Sequence, residues 1–179
     1  MGALSEAQIG AAEQFADATL DELETVEGIH PETAVVAVAR MAGSFLLRSF
    51  GFELGHLTAG TVVLSDEANE HGRRLLEILG GVLVHGGVAL DRERLAQGPD
   101  PDRQPRLDFL DSQAALEGAF VAVGARKRLS LRESAEAAAA ATAFLIQQFA
   151  EELDPSTAFG IAVQGFIEGA KTVPGTAAS

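Results

Sequence analysis

Cysteine is absent from this chain, and so are tryptophan and tyrosine. Without cysteine there can be no disulfide, no thiolate metal ligand and no sulfur nucleophile. Without tryptophan and tyrosine, the side chains that most often anchor protein interfaces and supply phenolic acids are missing. Basic residues are scarce too: 13 Lys and Arg stand against 26 Asp and Glu, for a net charge of -13. That balance argues against nonspecific binding to nucleic acid or anionic membranes, since both require clustered positive charge. No basic residue precedes Arg40, so neither a secretory signal nor an Arg-rich transit segment is expected. The most apolar run, Ala34 to Phe50, is broken by Arg40 and Arg48. It therefore reads as a buried helix, not a membrane span. The expected setting is cytoplasmic.

Only six prolines occur, and their positions organise the chain. Pro31 and Pro155 each open an apolar helical run, in His30-Pro31-Glu32-Thr33-Ala34 and Asp154-Pro155-Ser156-Thr157-Ala158, where a missing N–H costs nothing. Each run follows a Ser-started amphipathic stretch. Ser5-Glu6-Ala7-Gln8 and Ser130-Leu131-Arg132-Glu133 have the capping-box form, a hydroxyl with Gln or Glu three residues on. In the first stretch Ile9, Ala12, Ala16, Leu20, Leu23 and Val26 step along one helical face until Gly28. In the second, the alanines from Ala135 to Ala143 favour a helix running to about Leu153. The matching pattern arises from recurrent capping chemistry or from an internal duplication. Pro99, Pro101 and Pro105 fall in a single loop, and Pro174 opens a tail read as frayed.

These signals predict an all-α fold, a single-domain bundle of about five to seven helices spanning 1–179. The Pro-rich loop 98–105 would join two sub-halves, 1–97 and 106–179. A further helix fits Leu107 to Arg126, with Leu110, Ala114, Phe120 and Val121 as core residues. A helix capped by Ser65 or Asp66 carries Leu75, Leu76, Ile78 and Leu79 into Gly80-Gly81 and Gly86-Gly87. Continuing that helix is the favoured reading. A small ribbon pairing 61–64 with 82–84 is the alternative, given the strand-like composition of both.

The constellations that could carry chemistry are sparse. Glu133-x-x-Glu136 and Glu151-x-x-Asp154 are similar in spacing to the carboxylates that hold magnesium in the all-helical nucleoside triphosphate pyrophosphohydrolases. On one helix, Glu136 and Glu151 would stand about 22 Å apart, so solvated carboxylates at helix ends are expected instead. Glu67 and His71 are four apart, but no further ligand lies nearby. His71 and His85 would sit roughly 20 Å apart on a continuous helix. His30 and His56 read as helix-start and loop residues. No metal and no cofactor are expected.

Arg40 and Arg48 stand eight residues apart on an otherwise apolar helix, and a buried guanidinium must be paired. Either they form structural ion pairs or they line an anion site, with His71 or His85 as further ligands. The acidic residues Glu13, Asp17, Asp21 and Glu24 form a stripe on the first helix. Arg126, Lys127, Arg128 and Arg132 form the dense basic cluster. Stripe and cluster could meet within a chain or between subunits, or the stripe could face a basic partner. The leading expectation is a non-catalytic helical protein acting through protein–protein contacts, a homodimer among the arrangements allowed. An anion-binding protein or enzyme at the core arginines, and an acidic immunity or antitoxin-like protein, are the alternatives. No nucleic-acid or membrane partner is expected.

Overall fold

The computed structural model describes residues 2–98 and 100–175. Pro99 and the tail from 176 onward lie outside them. The described residues form seven helices and no strand: α1 Glu6–Leu23, α2 Pro31–Ser49, α3 Asp66–His85, α4 Arg92–Gln97, α5 Phe109–Lys127, α6 Leu131–Gln148 and α7 Pro155–Lys171. The all-α bundle read from the sequence is what the chain forms.

Both capping boxes are made. Ser5 accepts from the amide of Gln8 while the Gln8 side chain accepts from the amide of Ser5, and Ser130 and Glu133 do the same. Asp154 caps α7 through the amide of Thr157, and Ser65 caps α3 through that of Ala68. Pro31 and Pro155 occupy first-turn positions, as a residue without an N–H should.

The centre of the molecule is α2, whose residues from Pro31 to Leu47 are all buried. It packs most extensively against α7, then against α6. The α2–α7 approach is set by glycines. A Cβ on Gly43 would overlap the carbonyl oxygen of Phe166, and one on Gly169 would overlap that of Arg40. One on Gly165 would come within 2.7 Å of the Ala39 Cβ. These three glycines thus serve a contact between helices of the same chain. On α6 the alanine run from Ala137 to Ala141 is fully enclosed. Around this centre, α1 lies on α5 and α6, and α3 lies across α6 and α7.

Several expectations are corrected. The 61–64/82–84 ribbon does not form. Residues 82–84 are the last turn of α3, which continues through Gly80 and Gly81 because Leu75, Ile78, Leu79 and Leu83 anchor it. Val62 instead bridges to Thr172, with the Val63 amide on the Lys171 carbonyl at 2.7 Å. The tail read as frayed from Pro174 is pinned at its start, through 172–175, and its remainder lies outside the described residues. Val173 is buried, and Gly175 exchanges hydrogen bonds with the Gln113 amide.

On α5 the buried residues are Phe109, Ser112, Gln113, Leu116, Phe120, Val123 and Gly124. Leu110, Ala114 and Val121 are exposed, and Phe120 alone of the four expected core residues is buried. In α1, Ile9 points to solvent, and Val26 lies beyond the helix end in a turn closed by Thr25 and Gly28. α6 stops at Gln148, short of Leu153. α4 carries no buried residue, so no apolar stripe announced it.

Candidate functional site

The two core arginines are engaged in ion pairs. Arg40, nearly buried, donates through Nε to Glu168 at 2.7 Å, and through Nη1 to the Leu107 carbonyl at 2.7 Å and Ser112 Oγ at 3.0 Å. It thereby ties α2 to α7, to the loop before α5, and to α5 itself. A hollow of about 190 Å³ adjoins it, lined by Val36, Gln104, Pro105, Leu107, Ile161 and Gln164. Arg48 meets Glu117 with two parallel bonds, and its guanidinium lies 4.8 Å from the Phe45 ring centre. His71 and His85 reach neither arginine's surroundings. His71 borders a separate pocket on α3, and His85 is exposed at the α3 C-terminus.

A third charged centre escaped the sequence reading. Glu32, one residue into α2, has no solvent exposure, with Arg103 Nε 2.6 Å from Oε1 and His30 Nε2 3.4 Å from Oε2. Neither contact is aligned as a hydrogen bond, so the pairing is chiefly Coulombic. Thr33 Oγ accepts from the Arg106 amide at 2.9 Å and lies 2.7 Å from His30 Nδ1. Where the Thr33 hydroxyl donates to Nδ1, the neutral imidazole carries its N–H on Nε2, facing Glu32. Burial pushes the His30 pKa below its ordinary value, opposed by Glu32 and reinforced by Arg106 and Arg103.

The acidic stripe Glu13, Asp17, Asp21 and Glu24 is exposed. Among the described residues, none of the four has a basic side chain within ion-pair distance, and Arg126, Lys127, Arg128 and Arg132 have no carboxylate partner. The basic end of α5 does reach α1, but it meets uncharged positions. Arg126 donates to Gln14 at 3.1 Å, and Lys127 lies over Gly10. Arg128 caps α5 in the left-handed conformation, with φ of 57°. Glu133 is held below the usual carboxylate range by the Ser130 amide and hydroxyl. With Glu133 spent on this cap, the four-carboxylate pattern does not converge. No group of three or more metal-ligating side chains occurs among the described residues.

An opening lies between α3 and α7. It is a groove of about 310 Å³, walled by Leu46, Ala68, Gly72, Leu75, Leu76, Val163, Phe166, Ile167 and Ala170, with Asn69, Arg73 and Lys171 among its lining. A Cβ on Gly72 would meet nothing within 4 Å, so that glycine keeps the trough open. Arg73 and Lys171 have no carboxylate within ion-pair distance among the described residues. Next to it, Val62 and Leu64 are 67% and 79% exposed on the segment bonded to Lys171. Ile167, on the groove wall itself, is 51% exposed.

On the other flank of α3 a polar pocket of about 250 Å³ is lined by Leu46, His71, Arg74, Leu75, Arg132 and Glu136. It unites His71 and Arg132, which the sequence had placed in different candidate sites.

The fold defines this chain as an all-α bundle, and no helix among the described residues is long and apolar enough to cross a membrane. No family model, curated protein or solved structure matches it.

Proposed function

We propose that this is a non-catalytic cytoplasmic protein that acts by binding another protein, and that the α3–α7 groove is its docking site. One observation carries the reading. In a chain of net charge -13, an apolar trough is edged by Arg73 and Lys171, neither with a carboxylate within ion-pair distance among the described residues. An exposed apolar face beside unpaired cations favours an amphipathic acidic segment. Its apolar side chains would enter the trough, and its carboxylates would meet the two cations. Exposed Val62, Leu64 and Ile167 extend the apolar surface that a helix of one or two turns would cover.

A second copy of the chain is the second reading, because Glu13, Asp17, Asp21 and Glu24 on the exposed face of α1 have no basic partner among the described residues and could meet Arg73 and Lys171. That contact would join unlike surfaces, so it would close a ring or propagate. An immunity-type role would use the same acidic stripe against a basic protein.

The test is a photo-crosslinking side chain placed at Ile167 in living cells, with adducts identified by mass spectrometry. One discrete adduct is expected, and it should disappear with Lys171→Glu. An adduct containing this same chain, with self-association in sedimentation that Asp17→Lys abolishes, would select the second reading. Absence of any adduct, or one indifferent to Lys171→Glu, would overturn the groove assignment.

A further inference from the structure

We propose that the polar pocket between α3 and α6 binds a phosphoryl group, specifically the dianion of a phosphomonoester. This site adjoins the docking groove, sharing Leu46 and Leu75 with it, but its polar side chains lie on the other flank of α3. Three basic side chains converge on it: His71 and Arg74 from α3, and Arg132 from α6. They face one carboxylate, Glu136, which is already occupied. Gln8 donates to its Oε2 at 2.8 Å, and Arg74 lies 3.3 Å from its Oε1. Arg74 also reaches the Gly2 carbonyl, which fixes its far end. The charge left uncompensated is on Arg132, which has no carboxylate within ion-pair distance among the described residues.

Phe50 organises the donors. The Arg132 guanidinium lies 6.0 Å from the Phe50 ring centre, and the His71 ring lies 5.6 Å from the same centre. One aromatic floor therefore steadies both heads before any ligand arrives, which lowers the ordering cost of binding. A guanidinium fork with an adjacent imidazole N–H suits a tetrahedral oxyanion with several acceptor oxygens, and suits a single carboxylate less well. At the start of α6, the Ser130 and Glu133 amides are already engaged in the capping box and are not available to the ligand. Leu46 and Leu75 form the apolar wall, so the ester group carried by the phosphate should be small and apolar or aromatic.

Calorimetric titration with inorganic phosphate and with phenyl phosphate, at fixed ionic strength in chloride, tests this. Saturable one-site binding is expected for both, tighter for phenyl phosphate, with acetate producing none. Arg132→Gln should weaken phosphate binding roughly tenfold, the loss of one charge-assisted fork. Its side chain is exposed, and an unchanged circular dichroism melt would verify folding. His71→Gln provides a second variant in case Arg132→Gln fails to fold. Phe50→Leu should weaken binding with every charge retained, an effect expected from a positioning residue. Glu136→Gln should strengthen binding, since it removes the one repelling charge. Absence of saturable heat, equal binding of acetate, or full affinity in both Arg132→Gln and His71→Gln would each overturn the proposal.

Discussion

Glu117 grips Arg48 fork to fork, Oε1 to Nη1 at 2.6 Å and Oε2 to Nη2 at 3.2 Å, with the two side chains only 13% and 19% exposed. Gln113 adds a third contact to the same carboxylate. The pair is the polar bolt between α2 and α5, next to an otherwise apolar stack in which the Phe45 and Phe120 rings lie 6.5 Å apart.

Removing one half should hurt more than removing both. Glu117→Ala leaves a largely desolvated guanidinium unpaired and is expected to cost about 2–3 kcal/mol, between exposed and fully buried pairs. The double change Glu117→Leu with Arg48→Met should recover most of that loss. Urea unfolding of the full double-mutant cycle measures it, and equal losses in single and double variants would contradict the ion-pair account.

Glycine substitutions should split in sign according to what surrounds them. Gly118, in the exposed interior of α5, has nothing within 4 Å of a new Cβ. Gly118→Ala should therefore stabilise by about 0.5–1 kcal/mol through helix propensity. Gly169→Ala drives a methyl into the Arg40 backbone and should destabilise by about 3 kcal/mol or prevent folding. Thermal melts of the two variants should move in opposite directions.

Acid sensitivity should come in two windows. The His30 pKa is lowered on folding from an ordinary 6.5. Above that value both folded and unfolded imidazoles are neutral and the full stability is present. As pH falls through it, the unfolded chain takes up the proton first, so stability declines until the folded imidazole is protonated as well. Glu133 has the usual carboxylate sign. Its folded pKa lies below an ordinary 4.5, so its contribution survives above that value and is lost as pH drops further. Denaturant titrations across pH should lose the upper slope in His30→Gln and soften the lower one in Glu133→Gln. An unchanged upper slope in His30→Gln would assign it to another group.

Helix starts were legible because capping is local. Ser5 with Gln8, Ser130 with Glu133, and the prolines at 31 and 155 act within one turn, so four contiguous residues contain the signal. The facing of α5 was not legible. That helix has apolar residues nearly all round, and Leu110-Ala114-Val121 is as well spaced as Phe109-Leu116-Phe120-Val123. Partners decided between them: Arg40 reaches Ser112, and Gly175 reaches Gln113, which draws two polar residues inward. Continuation of α3 through Gly80 and Gly81 was the favoured reading and is what forms, because the glycines' propensity cost is outweighed by four buried aliphatic anchors.

The candidate sites were only partly readable. Arg40 and Arg48 drew attention as charges in an apolar run, yet their carboxylates, Glu168 and Glu117, lie on helices made much later in the chain. The groove has no sequence signature, because its walls are ordinary helix faces from α3 and α7 that only packing brings together. His71 and Arg132 were each noticed, but their meeting over Phe50 is a tertiary fact.

The enclosure of α2 also orders events during synthesis. Its main neighbours, α6 and α7, lie more than eighty residues further along the chain and leave the ribosome well after it. A nascent chain therefore displays its most enclosed rod, bare on nearly every side, until both have emerged. The hazard of sticking to strangers is greatest in that interval.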